Sequence, residues 1–216
     1  MKSLIIYDLD GTLADTRRDI ALAVNFMLQT MGQPPLQQEQ IEQFVGHGLH
    51  YLIRHCLESE DSKRVEKGSK IYKEYYAGHL VDHTTLYEGA RDLLDYFKAR
   101  RQAVLTNKPD PFTTNLLKAL GVDGYFFRVI AGNSGFAQKP DPEPIQFMMR
   151  ESGIGHEQVL LIGDSEIDIE AGRRAGVETA VVTHGFVKAD VLQAAKPDYL
   201  ARDFKEILDH VRRNQW

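Results

Sequence analysis

The strongest constraint on the fold is a set of short apolar runs, uninterrupted by polar residues, that lead into acidic, hydroxyl or glycine residues. Leu4-Ile5-Ile6-Tyr7 leads into Asp8-Leu9-Asp10-Gly11-Thr12, and similar runs recur at Ala103-Val104-Leu105-Thr106, Arg128-Val129-Ile130-Ala131, Val159-Leu160-Leu161-Ile162-Gly163 and Thr179-Ala180-Val181-Val182-Thr183. A strand with one wet face alternates apolar and polar residues, whereas a continuous apolar run suits a strand covered on both faces, as in parallel sheets between helix layers. Helical segments separate most of these runs, so the chain is predicted to be α/β with a doubly wound parallel sheet.

Residues 15–85 break this alternation and read as helices. Ile20, Val24, Met27, Leu28 and Met31 recur at helical spacing before Gly32 and Pro34-Pro35. Phe44 and Val45 close a second helix at Gly46, Leu49, Leu52, Ile53, Cys56 and Leu57 mark a third, and a polar-rich helix is expected over about 62–80. The expected organisation is a discontinuous core, residues 1–14 and 86–216, with a helical insertion at 15–85; 216 residues suffice for both. Further helices are expected over 92–100, after Asp110-Pro111 up to Gly121, and after Asp141-Pro142 up to Gly153, with Asp as N-cap and Pro in the first turn.

Composition removes several function classes. With 26 basic against 31 acidic residues the net charge is −5, which provides no global attraction to nucleic acid or anionic lipid. Any anionic ligand is therefore held locally. The arginine doublets 17–18, 100–101, 173–174 and 212–213 suit solvated helix faces. Cys56 is the single cysteine, the opening apolar run is too short for a leader, and no run approaches a membrane span, so a cytoplasmic protein is expected. Neither a nucleotide-binding Gly-x-x-x-x-Gly-Lys-Ser/Thr loop nor a metal-spaced histidine set occurs. The sequence leaves monomer and homodimer equally open.

Asp8 and Asp10 stand two residues apart at a strand end, which puts both carboxylates on one side in extended geometry. Open α/β sheets bind ligands at such ends, and Gly11 permits close backbone approach. Asp164 follows another buried strand in Gly163-Asp164-Ser165-Glu166-Ile167-Asp168, as a ligand group or as a helix N-cap, and Asp168 follows one helical turn later. Gly172 and Gly176 continue the four-residue spacing and would allow close helix packing. Carboxylates presented from two strand ends suit Mg²⁺. Thr106 ends a third strand in Leu105-Thr106-Asn107-Lys108-Pro109, and Lys139 precedes the rigid Pro140-Asp141-Pro142-Glu143-Pro144 segment; each fits phosphate binding as well as a structural or surface role.

In this order the motifs resemble the haloacid dehalogenase superfamily of phosphotransferases, in its phosphoglycolate-phosphatase-like branch, over nearly the whole chain. Tyr7-Asp8-Leu9-Asp10-Gly11-Thr12-Leu13 looks like the nucleophile motif, Thr106 the second, Lys139 the third, and Gly163-Asp164-Ser165 through Asp168 the fourth. The resemblance implies a Rossmann-like core with a small helical cap after the first strand. It also implies that Asp8 attacks phosphorus to form an aspartyl-phosphate while Asp10 serves as general acid and base. Mg²⁺ would be held by Asp8, the Asp10 carbonyl and Asp164, with Asp168 orienting the site and Thr106, the Asn107 amide and Lys139 binding the phosphoryl oxygens.

The substrate implied is a small phosphorylated metabolite, 2-phosphoglycolate first, with another metabolite such as a sugar phosphate or pyrophosphate as the alternative. Specificity is expected in Val45-Gly46-His47-Gly48-Leu49, where Gly46 and Gly48 can present amides to an anion, with His47 and Arg54 either as contributors or as solvated residues. A β-phosphoglucomutase-like mutase is a weaker alternative, because Ile20 stands where such members carry a cap-helix histidine. A receiver-like phospho-accepting module is the rival from another class, but receivers place the acceptor on a later strand than the acidic pair and lack the insertion. Gly132-Asn133 departs from the Gly-Asp common in relatives, a change expected to alter cap–core or second-layer contacts.

Overall fold

The structure is a computed structural model describing residues 1–214; Gln215 and Trp216, the end of the expected 86–216 core segment, lie outside the described residues. Its core is a six-stranded parallel sheet. β1 (Leu4–Tyr7) pairs with β4 (Arg101–Leu105) on one side and β6 (Val159–Gly163) on the other, β5 (Arg128–Ile130) lies outside β4, and β7 (Glu178–Val182) and β8 (Tyr199–Ala201) lie beyond β6. The chain thus winds outward from β1 in one direction and then in the other, so the β1–β6 crevice is the topological switch point where ligands bind in such sheets.

Every residue of β1 is buried, and alternate residues feed opposite faces. Ile5 and Tyr7 join the cluster containing Leu93 and Leu94 of α5 (Ala90–Tyr96), Leu116 of α6 (Phe112–Ala119), and Ile207 and Val211 of α10 (Phe204–Asn214). Leu4 and Ile6 join the cluster containing Ile145 and Met148 of α7 (Glu143–Ser152) and Ala171 of α8 (Glu166–Ala175). Two helix layers account for the lack of polar alternation in the sequence.

Between β1 and β4 the chain forms a second, two-stranded sheet that the sequence reading did not anticipate, in which β2 (Ala14–Asp15) pairs antiparallel with β3 (Thr85–Leu86). Four helices lie between these strands: α1 (Arg17–Thr30), α2 (Gln38–Glu42), α3 (Leu49–Cys56) and α4 (Ser62–Gly78). The buried carboxylate of Asp19 clasps the return, accepting from the His83 and Thr84 amides and the Thr84 hydroxyl. Arg17 braces the same base, ion-paired to Asp15 and donating to Tyr87 Oη and His184 O. Among the described residues no helix is long and apolar enough to cross a membrane.

Several boundaries differ from expectation. α2 ends before Phe44 and Val45, which follow it in turns closed by Phe44 N–H to Ile41 O and Val45 N–H to Glu42 O. The helix expected over 92–100 spans Ala90–Tyr96, and Arg101 already belongs to β4. Pro111 and Pro142 occupy the N-cap positions of α6 and α7, while Asp110 and Asp141 still accept from the Thr114 and Glu143 amides. Ile6 is fully buried beneath α7 and α8, so Ile6→Ala should lower unfolding stability by about 2–5 kcal/mol, measured by denaturant titration.

Candidate active site

Asp8 leaves β1 with its amide bonded to Ile162 O at 2.9 Å, which sets the ends of β1 and β6 side by side and brings Asp164 next to it. Two close backbone approaches enclose the Asp164 carboxylate. A β-carbon added at Gly11 would lie 2.3 Å from Asp164 Oδ2, and one at Gly185 would lie 2.2 Å from it, so neither loop tolerates a side chain there. Thr12 Oγ1 donates to Asp164 Oδ1 at 2.8 Å and the Phe186 amide donates to Oδ2 at 3.0 Å.

Ser165, rather than Asp164, caps α8. Its hydroxyl accepts from the Asp168 amide and donates to Asp168 Oδ2 at 2.6 Å. The other Asp168 oxygen accepts from Lys139 Nζ at 2.7 Å. Farther along α8, Gly172 does permit close packing, since a β-carbon there would lie 2.2 Å from Thr179, whereas Gly176 is the left-handed C-cap.

Oxygens of Asp8, Asp164 and Asp168 lie within 4.8 Å of one another, all three residues being buried. Lys139 Nζ is 2.8 Å from Asp8 Oδ1, an ion pair whose direction leaves that buried oxygen without a hydrogen bond. Burial pushes Asp8 up to about 6 against the pull of Lys139, with Asp168 raising it further. Burial and the neighbouring Asp8 and Asp168 also hold Asp164 well above the ordinary carboxylate range. Burial works against the charge of Lys139, but Asp168 and Asp8 keep it protonated. One lysine against three carboxylates forms a hard-oxygen donor set that fits a divalent cation of the Mg²⁺ kind.

A cavity of about 40 Å³ lies between this sheet end and the helical insertion, with room for roughly three waters. Asp8, Asp10 and Thr106 line it together with Ile20, Leu49, Leu52 and Phe112 of the surrounding helices. Asp10 accepts from Thr16 Oγ1 at 2.8 Å and from Lys108 Nζ at 3.0 and 3.2 Å. Lys108 also donates to Tyr76 Oη of α4 at 2.8 Å, its ammonium 4.7 Å from the centre of that ring. The one sequence signal for Lys108 is its position immediately after Thr106-Asn107 at the strand end.

Residues 5–182 match the haloacid dehalogenase-like hydrolase family. The chain belongs to that family. It is 32% identical over 213 residues to a phosphoglycolate phosphatase of Pseudomonas putida, covering 95% of this chain and 78% of the relative. A phosphoglycolate phosphatase of Vibrio parahaemolyticus is also 32% identical, over 221 residues, covering 96% of this chain and 95% of the relative. The crystal structure of a protein described as a predicted phosphoglycolate phosphatase from Haemophilus somnus superposes with a TM-score of 0.92 at 28% identity, covering 97% of this chain and 98% of that one. The hydrolase is of the phosphoric monoester class.

The remaining expected site residues of this hydrolase fall into different settings. The Asn107 side chain is a strut, donating to Gly46 O at 2.8 Å and Lys139 O at 3.0 Å while accepting from the Lys139 amide at 2.9 Å. It thereby ties the insertion to the lysine loop. Gly46 and Gly48 line the cavity. His47 stacks on Tyr51 at 4.4 Å, and partial burial lowers its proton affinity despite nearby Glu166. Arg54 is exposed, ion-paired to Glu60, and outside the cavity wall. Asn133 exchanges two hydrogen bonds with the Asp110 backbone, accepting at 2.8 Å and donating at 3.1 Å, and an aspartate could not make the second.

The charge imbalance has a pH signature. The folded state retains a proton on Asp8 up to about 6, whereas its ordinary value is 3.8, so folded molecules bind more protons in that window and stability falls as pH rises through it. Metal-free wild type should therefore lose stability relative to Asp8→Asn between about pH 4 and pH 6, and Mg²⁺ should raise its melting temperature more at pH 7 than at pH 4.5, both read by thermal unfolding. Parallel pH profiles for the two proteins would contradict this.

Proposed function

We propose that the hydrolase is a Mg²⁺-dependent phosphomonoesterase that acts through Asp8, with 2-phosphoglycolate converted to glycolate and phosphate. The observation that carries this reading is Asp8 Oδ1, a buried oxygen ion-paired to Lys139, lacking a hydrogen bond and grouped with two further carboxylates at the switch point. The relatives named as phosphoglycolate phosphatases support the substrate.

Asp8, the Asp10 carbonyl and Asp164 would hold Mg²⁺, which when bound lessens repulsion between an anionic nucleophile and an anionic ester. Asp168 orients Lys139. Thr106, the Asn107 amide and Lys139 hold the transferring oxygens. An Asp8 oxygen forms a bond to phosphorus as the ester P–O bond breaks, and Asp10 gives its proton to the departing alkoxide. Water then loses a proton to Asp10 and adds to phosphorus, the Asp8–phosphorus bond breaks, and phosphate leaves. Residues 15–85 act as the cap that excludes bulk water, and Gly46 and Gly48 shape its specificity loop.

Ile20, buried in the cavity wall, provides no proton-transfer group for a mutase. A receiver-like role is disfavoured by an acceptor that follows β1 beneath a helical insertion. Asp8→Asn should abolish Mg²⁺-dependent phosphate release, by at least about 10⁴-fold in kcat, while circular dichroism shows a retained fold. Undiminished turnover would remove Asp8 from the reaction.

A further inference from the structure

We propose that Lys108 is the specificity residue of this site, receiving a second anionic group, a carboxylate, on a short phosphate ester. The inference rests on the phosphomonoesterase reading above and deepens it. Lys108 is buried, which is rare for lysine unless it is paired, and it is the cationic side chain lining the cavity among the described residues. Lys139 is already committed to Asp8 and Asp168. The Lys108 ammonium is shared between both oxygens of Asp10 and the hydroxyl of Tyr76.

Those partners make the exchange possible. When Asp10 turns one oxygen onto the leaving-group oxygen, the donor it relinquishes becomes available to a ligand oxygen. Lys108 Nζ and the leaving-group oxygen then sit on the two oxygens of one carboxylate, separated by two hydrogen bonds and the width of that carboxylate, at most about 8 Å. A carboxylate one carbon removed from the ester oxygen falls within that reach. A longer or bulkier alcohol would instead meet Ile20, Leu49, Leu52 and Phe112, none of which can replace water around polar groups. Because Tyr76 belongs to α4 and Lys108 to the loop after β4, the anion would be received where the insertion meets the sheet.

The test compares phosphoglycolate with ethyl phosphate, which keeps the two-carbon ester and lacks the carboxylate, using Mg²⁺-loaded wild type, Lys108→Met and Lys108→Arg. Wild type should prefer phosphoglycolate by at least about 10²-fold in kcat/KM. Lys108→Met should reduce kcat/KM for phosphoglycolate at least about 30-fold more than for ethyl phosphate, chiefly through KM, and Lys108→Arg should recover part of that selectivity. Loss common to both esters reports the contact with Asp10, so the ratio carries the result. Tyr76→Phe, which retains the ammonium, should keep most of the selectivity and serves if Lys108→Met does not fold; a selectivity lost there overturns the assignment to Lys108. An unchanged ratio in Lys108→Met, or a wild type indifferent to the carboxylate, overturns the role of Lys108 while the phosphatase reading stands. Wild type that hydrolyses neither ester overturns the function proposed above and this assignment with it.

Discussion

Three buried carboxylates cluster where β1 and β6 end, the one lysine among them pairs with only two, Asp8 and Asp168, and the surrounding structure holds this unfavourable arrangement in place. Leaving a charge unpaired in a protein interior costs several kcal/mol, so such a cluster persists only where the scaffold fixes it. β1 sits at the sheet centre with neighbours on both sides, and its amide at Asp8 is locked to β6. Ser165 and Lys139 each take one oxygen of Asp168, while Thr12 and Phe186 each take one of Asp164. Asp8 is left as the least satisfied member, and hence as the one with most to gain from a cation or an electrophile.

The insertion is joined to this cluster by polar contacts that cross from one body to the other. Asn107 reaches Gly46, Lys108 reaches Tyr76, and Asp19 closes the base by holding the returning strand. These contacts involve Asp10's own partner and the lysine loop, so the position of the insertion and that of the reacting groups are fixed together. The paired strands at the base, with Arg17 between Asp15, Tyr87 and His184, tie the other end of the insertion to the core.

Much of this was legible in the sequence for a physical reason: a parallel strand buried on both faces cannot tolerate polar alternation, and the ligand end of such a strand is marked by the residue that ends it. Asp8, Asp10, Thr106 and Asp164 were visible on those grounds. β8 was not, since Tyr199, Leu200 and Ala201 form a three-residue edge strand after Lys196-Pro197-Asp198. β2 and β3, two residues each, are too short to show any period. Lys108 escaped because its burial is created by Tyr76, which lies 32 residues away, and the same separation hid Asn107's grip on Lys139. The sequence leaves Asp164 open as ligand group or N-cap because aspartate and serine both suit a cap, and only the packing gives that position to Ser165.

The central claim is that the least satisfied carboxylate of the cluster does the covalent chemistry. Acid-quenching the Mg²⁺-loaded protein during turnover of phosphoglycolate and mapping the phosphoryl group by peptide mass spectrometry tests it most directly. A phosphoryl group on Asp8, absent from Asp8→Asn, is the predicted result. Turnover with the phosphoryl group on another residue, or on none under quench conditions that preserve acyl phosphates, would contradict the account.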